Sequence, residues 1–167
     1  MTGSARPANV TIVDAPVVRE ADPEDAPALA EFLLSLGLFK NLEPLTPQAL
    51  TQELEQKTGA ASPSSHTLLI ALDEADIAGY AAVHWLPALF QLGPDGYASE
   101  LFVSAARRGR GVGSSLLRAV ELEAKRRGCA RLTLVNLKNR ELYRRGFYAR
   151  HGFTEQYGAA RFVKSLL

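Results

Sequence analysis

Hydrophobic and polar positions follow two rhythms along the chain. Residues 17–21 have the pattern of a short strand. Asp22 then caps a helix, with Pro23 at its first position and Asp25 in its first turn. Ala26, Leu29, Ala30, Leu33 and Leu34 recur at helical spacing to about Leu36, and Gly37 stops the run. Residues 38–45 read as a loop. Thr46-Pro47 caps a second helix over about 48–57, and residues 59–65 form a small, polar connection. Residues 67–72 and 77–86 are apolar strands joined by a turn at 73–76, which makes a hairpin. Residues 87–96 hold two prolines and two glycines and read as a loop with Leu89 and Phe90 as apolar tips. The strand 97–103 follows. A glycine-rich turn then leads to a long helix whose apolar positions are Leu116, Leu117, Val120 and Ala124, ending at Gly128. Residues 130–135 predict a strand and 139–150 a helix ended by Gly152. Residues 153–156 and 161–166 predict two closing strands. The order is β-α-α-β-β-β-α-β-α-β-β. It implies an α/β or α+β domain with a mixed, mostly antiparallel central sheet flanked by helices.

Composition narrows the class. The 167 residues, 47% hydrophobic and 22% charged, suffice for one ample core. Residues 1–16 read as a flexible N-terminal leader, and 17–167 as a single domain. No apolar run is long enough to span a bilayer, and the N-terminus lacks a signal peptide's apolar region. A cytoplasmic protein without a membrane partner is therefore expected. A lone cysteine, Cys129, excludes an intramolecular disulfide and reads as a small hydrophobe starting a strand. Three histidines and this one cysteine show no ligand spacing, so no metal is expected.

Net charge is only +1, but it is unevenly distributed. Residues 1–104 carry four Lys/Arg against fourteen Asp/Glu, a net of −10. Residues 105–151 carry thirteen against three, a net of +10. The basic part contains the sequence Arg107-Arg108-Gly109-Arg110-Gly111-Val112-Gly113-Ser114-Ser115, set between a strand and a helix. Glycines cost up to about 1 kcal/mol each in a helix interior. Here they leave bare the first N–H groups of a helix, which have no internal acceptor and sit at the positive end of its dipole. With the arginines beside them they make an anion site suited to a phosphate or pyrophosphate.

Two phosphate signatures fail. A P-loop needs Gly-Lys-Ser/Thr, and there is no lysine; the third glycine of a dinucleotide fingerprint would fall on Ser114, with no acidic residue closing the next strand. The stretch Arg108-Gly109-Arg110-Gly111-Val112-Gly113 instead resembles the acetyl-CoA signature Gln/Arg-x-x-Gly-x-Gly/Ala of the GNAT superfamily of N-acetyltransferases. Leu101-Phe102-Val103 precedes it, and Tyr148-Ala-Arg-His-Gly152-Phe153 follows where that family places Tyr-x-x-x-Gly-Phe. The element order also resembles that of the GNAT fold, from Val17 to Leu166.

The resemblance implies acetyl transfer from acetyl-CoA, as co-substrate, to an amine by direct attack in a ternary complex. It implies that the backbone from Arg108 through Gly109, Arg110, Gly111, Val112 and Gly113 to Ser114 holds the pyrophosphate. The backbone of Leu101, Phe102 and Val103 would pair with the pantetheine arm, and an N–H near Phe102 or Val103 would polarise the thioester carbonyl. Tyr148 matches the family's leaving-group acid, with Tyr143 as the weaker candidate. Glu100 stands where many members carry an acidic residue and is the candidate base, with His84 second; His66 and His151 read as loop residues. Asn139 is a candidate cofactor contact, although the family's asparagine stands seven residues before the tyrosine and Asn139 stands nine before it, Glu141 taking the seventh place. The acceptor would lie among residues 38–41 and 85–97, which offer Phe39, Trp85, Phe90 and Tyr97 with Glu43 and Asp95. Family members are often dimers, which leaves a homodimer open.

Two rival classes fit parts of the chain. One is a GNAT-fold module that binds acyl-CoA without turnover, as a sensor or partner-binding subunit. The other is a nucleic-acid-binding domain using Arg140, Arg144, Arg145 and Arg150. No helix-turn-helix, RNA-recognition or zinc pattern accompanies those arginines, so no nucleic acid is expected.

Overall fold

The computed structural model describes residues 15–37, 46–59, 65–90, 92–158 and 160–165. The chain divides into two compact units, residues 1–133 and 134–167. The expected leader, for residues 1–14, and the loop at 38–45 lie outside the described residues.

The first unit contains β1 (Val17–Glu20), α1 (Ala26–Ser35), α2 (Pro47–Lys57), β2 (His66–Asp73), β3 (Asp76–Leu86), β4 (Asp95–Val103) and α3 (Val112–Arg126). β5 (Arg131–Leu134) closes the sheet, whose strand order is β1-β2-β3-β4-β5. β1 through β4 pair antiparallel in sequence. β5 runs parallel to β4, because their contacts advance together. Ala130 N donates to Pro94 O at 3.0 Å, Arg131 pairs with Asp95 at 2.7 Å, and Thr133 Oγ1 donates to Gly96 O at 3.2 Å. The sheet is thus mixed and mostly antiparallel, as the order of elements predicts.

The central strands read as unbroken apolar runs because they are covered on both faces. Leu68 and Ile70 of β2, with Tyr80 and Ala82 of β3, face α1 and α2. Leu69, Ala71, Ala81, Val83 and Trp85 face α3. Helix α3 buries Val112, Leu116, Leu117, Val120 and Ala124 along one stripe, each such side chain contributing about 1–3 kcal/mol. Asp22 precedes not an α-helix but a single 3-10 turn, Pro23–Asp25, from which α1 continues. Asp25 ties this corner together: it accepts from Asp22 N at 2.8 Å and from both terminal nitrogens of Arg19 at 2.6 and 2.7 Å. Thr46 Oγ1 accepts from Ala49 N at 3.2 Å and starts α2. Gly37, at φ +67°, ends α1 as expected.

The second unit departs from expectation. The helix predicted over 139–150 is two single turns, α4 (Glu141–Arg144) and α5 (Phe147–Arg150). Gly146 separates them at φ +61°, a left-handed backbone that no helix can contain. The closing strands predicted at 153–156 and 161–166 are absent among the described residues. Local side-chain contacts hold 153–155 instead. Phe153 packs edge-on against Tyr148, and Glu155 accepts from Tyr143 Oη at 2.9 Å and pairs with Lys138 at 2.6 Å. No helix among the described residues is long and apolar enough to cross a membrane.

Candidate active site

The glycine turn is open. Gly109 and Gly111 have φ of +77° and +85°, and Gly111 is the residue that caps α3. A Cβ on either would meet nothing within 4 Å, so glycine is needed there for backbone conformation and the space above the turn is free. The first hydrogen bond of α3 runs from Ser115 N to Gly111 O at 2.9 Å. The N–H groups of Val112, Gly113 and Ser114 therefore have no acceptor within the helix, and Gly111 has no side chain to offer one. Arg108 and Arg110 are exposed beside them. Arg107 is engaged elsewhere, its Nη1 lying 2.6 Å from Asp73 Oδ2.

A third glycine sets where this turn sits. At the buried Gly79 of β3, a Cβ would lie 2.9 Å from Leu116 Cδ1, from Phe102 O and from Val112 Cγ1. Gly79 thus lets the start of α3 approach β3 and the end of β4.

β4 is nine residues long and β5 only four. Contacts between them lie at the start of both, at Pro94 to Gly96. Among the described residues no strand pairs with that edge of β4 beyond them, so the backbone of Leu101, Phe102 and Val103 is unpaired by sheet on this side. Their side chains alternate, Leu101 and Val103 packing toward α3 and Phe102 toward α1 and α2.

The β3–β4 register shifts by one residue at Ala82 and Val83. Ala82 faces Glu100, while Val83 faces Ala98, which makes Ser99 an extra residue in β4. This bulge sets a polar row on the α1/α2 face. Glu100 is exposed, and Ser99 Oγ lies 3.0 Å from His84 Nε2. Tyr97 stacks on His84 at 6.5 Å, and His66, directly opposite on β2, is at 6.2 Å. His66 therefore belongs to a strand and not to a loop. Sequence reading missed Tyr80, a 4% exposed residue on the same face of the sheet as Glu100. Burial first, then the Glu100 charge, push its pKa far above that of a free tyrosine.

The other acceptor candidates divide. Trp85 is buried toward α3, with Nε1 donating to Thr67 Oγ1 at 3.0 Å and the Arg127 guanidinium 4.9 Å above its ring, so it is a core residue. Asp95 is committed to Arg131. Phe90 is 99% exposed, and residues 38–41 and Glu43 lie outside the described residues. Cys129 is half-buried just before β5, and burial raises its thiol pKa. Among the described residues no cluster of three His, Cys, Asp or Glu could hold a metal.

The second unit carries Tyr148 on α5, packed edge-on against Phe147 and Phe153. Burial raises its pKa. Tyr143 is committed to Glu155, which raises its pKa as well. Asn139 is exposed in a turn before α4, outside the helix predicted for it. His151 is held by Phe147 O at 2.8 Å from Nδ1. A further residue escaped sequence reading. Asn136 Nδ2 is buried without a hydrogen-bond partner among the described residues, and its signal was a lone amide directly after an apolar strand.

Similarity to known proteins places this sheet and its open glycine turn in an acyltransferase domain. The chain belongs to the acetyltransferase (GNAT) family, which it matches over residues 33–153. It is similar to glucosamine 6-phosphate N-acetyltransferase 1 of Oryza sativa subsp. japonica, at 34% identity over 127 residues, 72% of this chain and 73% of that protein. It is similar also to aminoglycoside N(6′)-acetyltransferase type 1 of Stenotrophomonas maltophilia, at 33% over 125 residues, 72% and 75% of the two chains. Its fold resembles that of an aminoglycoside acetyltransferase from an uncultured soil metagenomic sample, solved with sisomicin. The TM-score is 0.74 at 17% identity, covering 91% of this chain and 97% of that one.

Proposed function

We propose that this acyltransferase moves an acetyl group from acetyl-CoA to a primary amine of a small molecule or peptide, by direct attack in a ternary complex. The observation that carries the reading is the open turn at Gly109 and Gly111, with three N–H groups at the start of α3 that have no acceptor within the helix. Bound acetyl-CoA supplies an activated acetyl thioester. The N–H groups of Val112, Gly113 and Ser114 would hold its pyrophosphate, with the rest of the turn from Arg108 to Arg110 around it. The unpaired backbone of Leu101 to Val103 would accept the pantetheine amides as a strand accepts its neighbour. The N–H of Phe102 or Val103 would donate to the carbonyl oxygen of the acetyl group.

Glu100 takes a proton from the acceptor's ammonium group, directly or through water, which leaves a neutral amine able to attack the carbonyl carbon. As the carbon–sulfur bond breaks, Tyr148 gives its hydroxyl proton to the departing sulfur, and the proton that the attacking nitrogen sheds on becoming an amide restores the phenol through water. Its raised pKa keeps that proton in place at neutral pH. Asn139 is proposed only as a peripheral contact to the cofactor. The named relatives act on an amino sugar phosphate and on an aminoglycoside, which favours an amino-sugar acceptor.

Calorimetric titration with acetyl-CoA, with free CoA and ADP as controls, tests the cofactor site. One-to-one micromolar binding, followed by CoA release with an amino sugar but not with its N-acetylated form, is expected. Folded protein that fails to bind acetyl-CoA overturns the reading.

A further inference from the structure

On the proposed function, the path of the cofactor fixes the direction of the acceptor. Acetyl-CoA would run from the glycine turn along Leu101 to Val103, with its thioester beside Phe102 and Val103. An amine attacking there has the rest of its molecule toward the start of β4, past Glu100, Ser99 and Tyr97. On the α1/α2 face, this part of the sheet carries a row of rings in register. His66 of β2 pairs with His84 of β3, and His84 pairs with Tyr97 of β4. Glu100 pairs with Ala82, two residues before His84. Side chains two residues apart on one face of a strand stand about 7 Å apart. The row therefore lies from Glu100 at about the span of a six-membered sugar ring.

A short relay of hydrogen bonds sets what the row can offer. Ser99, the extra residue of the β4 bulge, has one hydroxyl proton and donates it to Ala82 O at 3.4 Å. Its oxygen, 3.0 Å from His84 Nε2, is then left to accept from that nitrogen. A neutral imidazole with its proton on Nε2 has a lone pair on Nδ1. Among the described residues, neither His84 Nδ1 nor Tyr97 Oη has a hydrogen-bond partner, and neither atom is buried. The two rings are stacked with their planes 30° apart. His66 differs, since its Nε2 donates to Lys57 O at 3.0 Å. We propose that His84 and Tyr97 read hydroxyl groups of the acceptor, a polyhydroxylated ring that carries a primary amine, with Ser99 as the positioning residue that fixes the His84 tautomer. The inference rests on the acetyl-transfer reading above. His84 Nδ1 accepts from one hydroxyl, Tyr97 Oη bonds a neighbouring one, and the amine is left at Glu100. A site built to bond a hydroxyl rejects an analogue that lacks it, because the polar groups of the site are then covered without partners.

The test compares two ring amines that differ in their hydroxyls, glucosamine and cyclohexylamine, by CoA release. His84→Phe and Tyr97→Phe keep a ring in place and lose the polar atoms. Each is expected to lower the ratio of kcat/KM for glucosamine to that for cyclohexylamine about 10-fold, the amount of one hydrogen bond, mainly through KM for glucosamine. Ser99→Ala frees the tautomer and is expected to lower the same ratio about 3-fold. Taking each variant against wild type cancels the different basicities of the two amines. If cyclohexylamine turns over too slowly to measure, its inhibition constant against glucosamine takes its place in the ratio. An unmoved ratio in His84→Phe and Tyr97→Phe overturns the inference, since a base or a purely structural residue would affect both amines alike. A parallel arm with sisomicin tells a free amino sugar from one within an aminoglycoside, by which of the two shows the selective loss. Wild type that binds acetyl-CoA but releases no CoA with any of these amines overturns the hydroxyl-reading row and leaves the cofactor site standing, whereas absent acetyl-CoA binding overturns the proposed function itself. If His84→Phe does not fold, the ratio in Tyr97→Phe decides the matter.

Discussion

Arg107 Nη1 lies 2.6 Å from Asp73 Oδ2, with both side chains about three-quarters covered, so the first arginine of the basic turn is a strut and not a free ligand. It ties the approach to the glycine turn to the end of β2. Asp73→Asn is expected to lower unfolding free energy by about 1 kcal/mol, the upper range for a partly exposed pair. It should also weaken acetyl-CoA binding a few-fold, because the turn loses an anchor. A denaturant melt and a calorimetric titration check both, and unchanged stability would show that the pair does not hold the turn.

Gly111 tests the anion site itself. A side chain there takes on a left-handed backbone that costs about 1–2 kcal/mol, but it would not clash. Gly111→Glu adds a negative charge where a pyrophosphate is expected and should abolish acetyl-CoA binding. Gly111→Ala carries the strain without the charge and should weaken it less. Equal affinities in wild type and Gly111→Glu, measured by titration, would remove the turn as the site.

Gly79 tests placement instead of contact. Gly79→Ala puts a methyl group 2.9 Å from Phe102 O, Leu116 and Val112, and backbone is among the atoms that must yield. A loss of about 1–3 kcal/mol is expected from this overpacking, with weaker cofactor binding in the protein that folds. A thermal melt that matches wild type would mean that α3 does not press on β3 as described.

Tyr148→Phe should lower turnover roughly 100-fold while leaving acetyl-CoA affinity intact, since only a proton donor is lost. On the proposed role, the basic limb of the kcat profile reports the same group. Because burial raises its pKa, activity should persist above the pH at which a free tyrosine ionises, near 10. Wild-type turnover in Tyr148→Phe would exclude it as the acid.

The Asp25–Arg19 pair sets an acid-stability signature. Arg19 holds the Asp25 pKa below that of a free aspartate. A depressed folded-state pKa means that the contribution is complete above about pH 4 and is lost as pH falls through the folded value. Asp25→Asn should therefore cost stability at pH 7, about 1–2 kcal/mol with its two kinds of bond gone, and the difference from wild type should shrink toward pH 2. Parallel denaturant melts at the two pH values decide it; a constant difference would mean that the bonds do not depend on the charge.

Much of this was legible in the sequence where a single physical cause acts locally. The strands β2 and β3 announce themselves as apolar runs, and Gly37 and Gly111 mark a helix end and a helix start within a residue or two. What was not legible depends on register. Glu100 shares a face with Tyr80 because Ser99 is an extra residue in β4, and nothing in Tyr97-Ala-Ser-Glu100 sets a bulge apart from a regular strand. Trp85 read as a pocket residue because its aromatic character was visible and its face of the sheet was not. Gly146 was visible too, but a glycine inside a helical pattern is often tolerated, and only its positive φ splits the segment.

The mismatch in length between β4 and β5 has a consequence for the protein outside its catalytic cycle. A run of strand backbone that no described strand pairs with is a template for any other extended chain, and such edges promote association between copies. If the pantetheine arm lies along Leu101 to Val103, its amides complete the sheet as an edge strand would. On that reading, the empty protein would be more prone to self-association than the protein with its acyl donor bound.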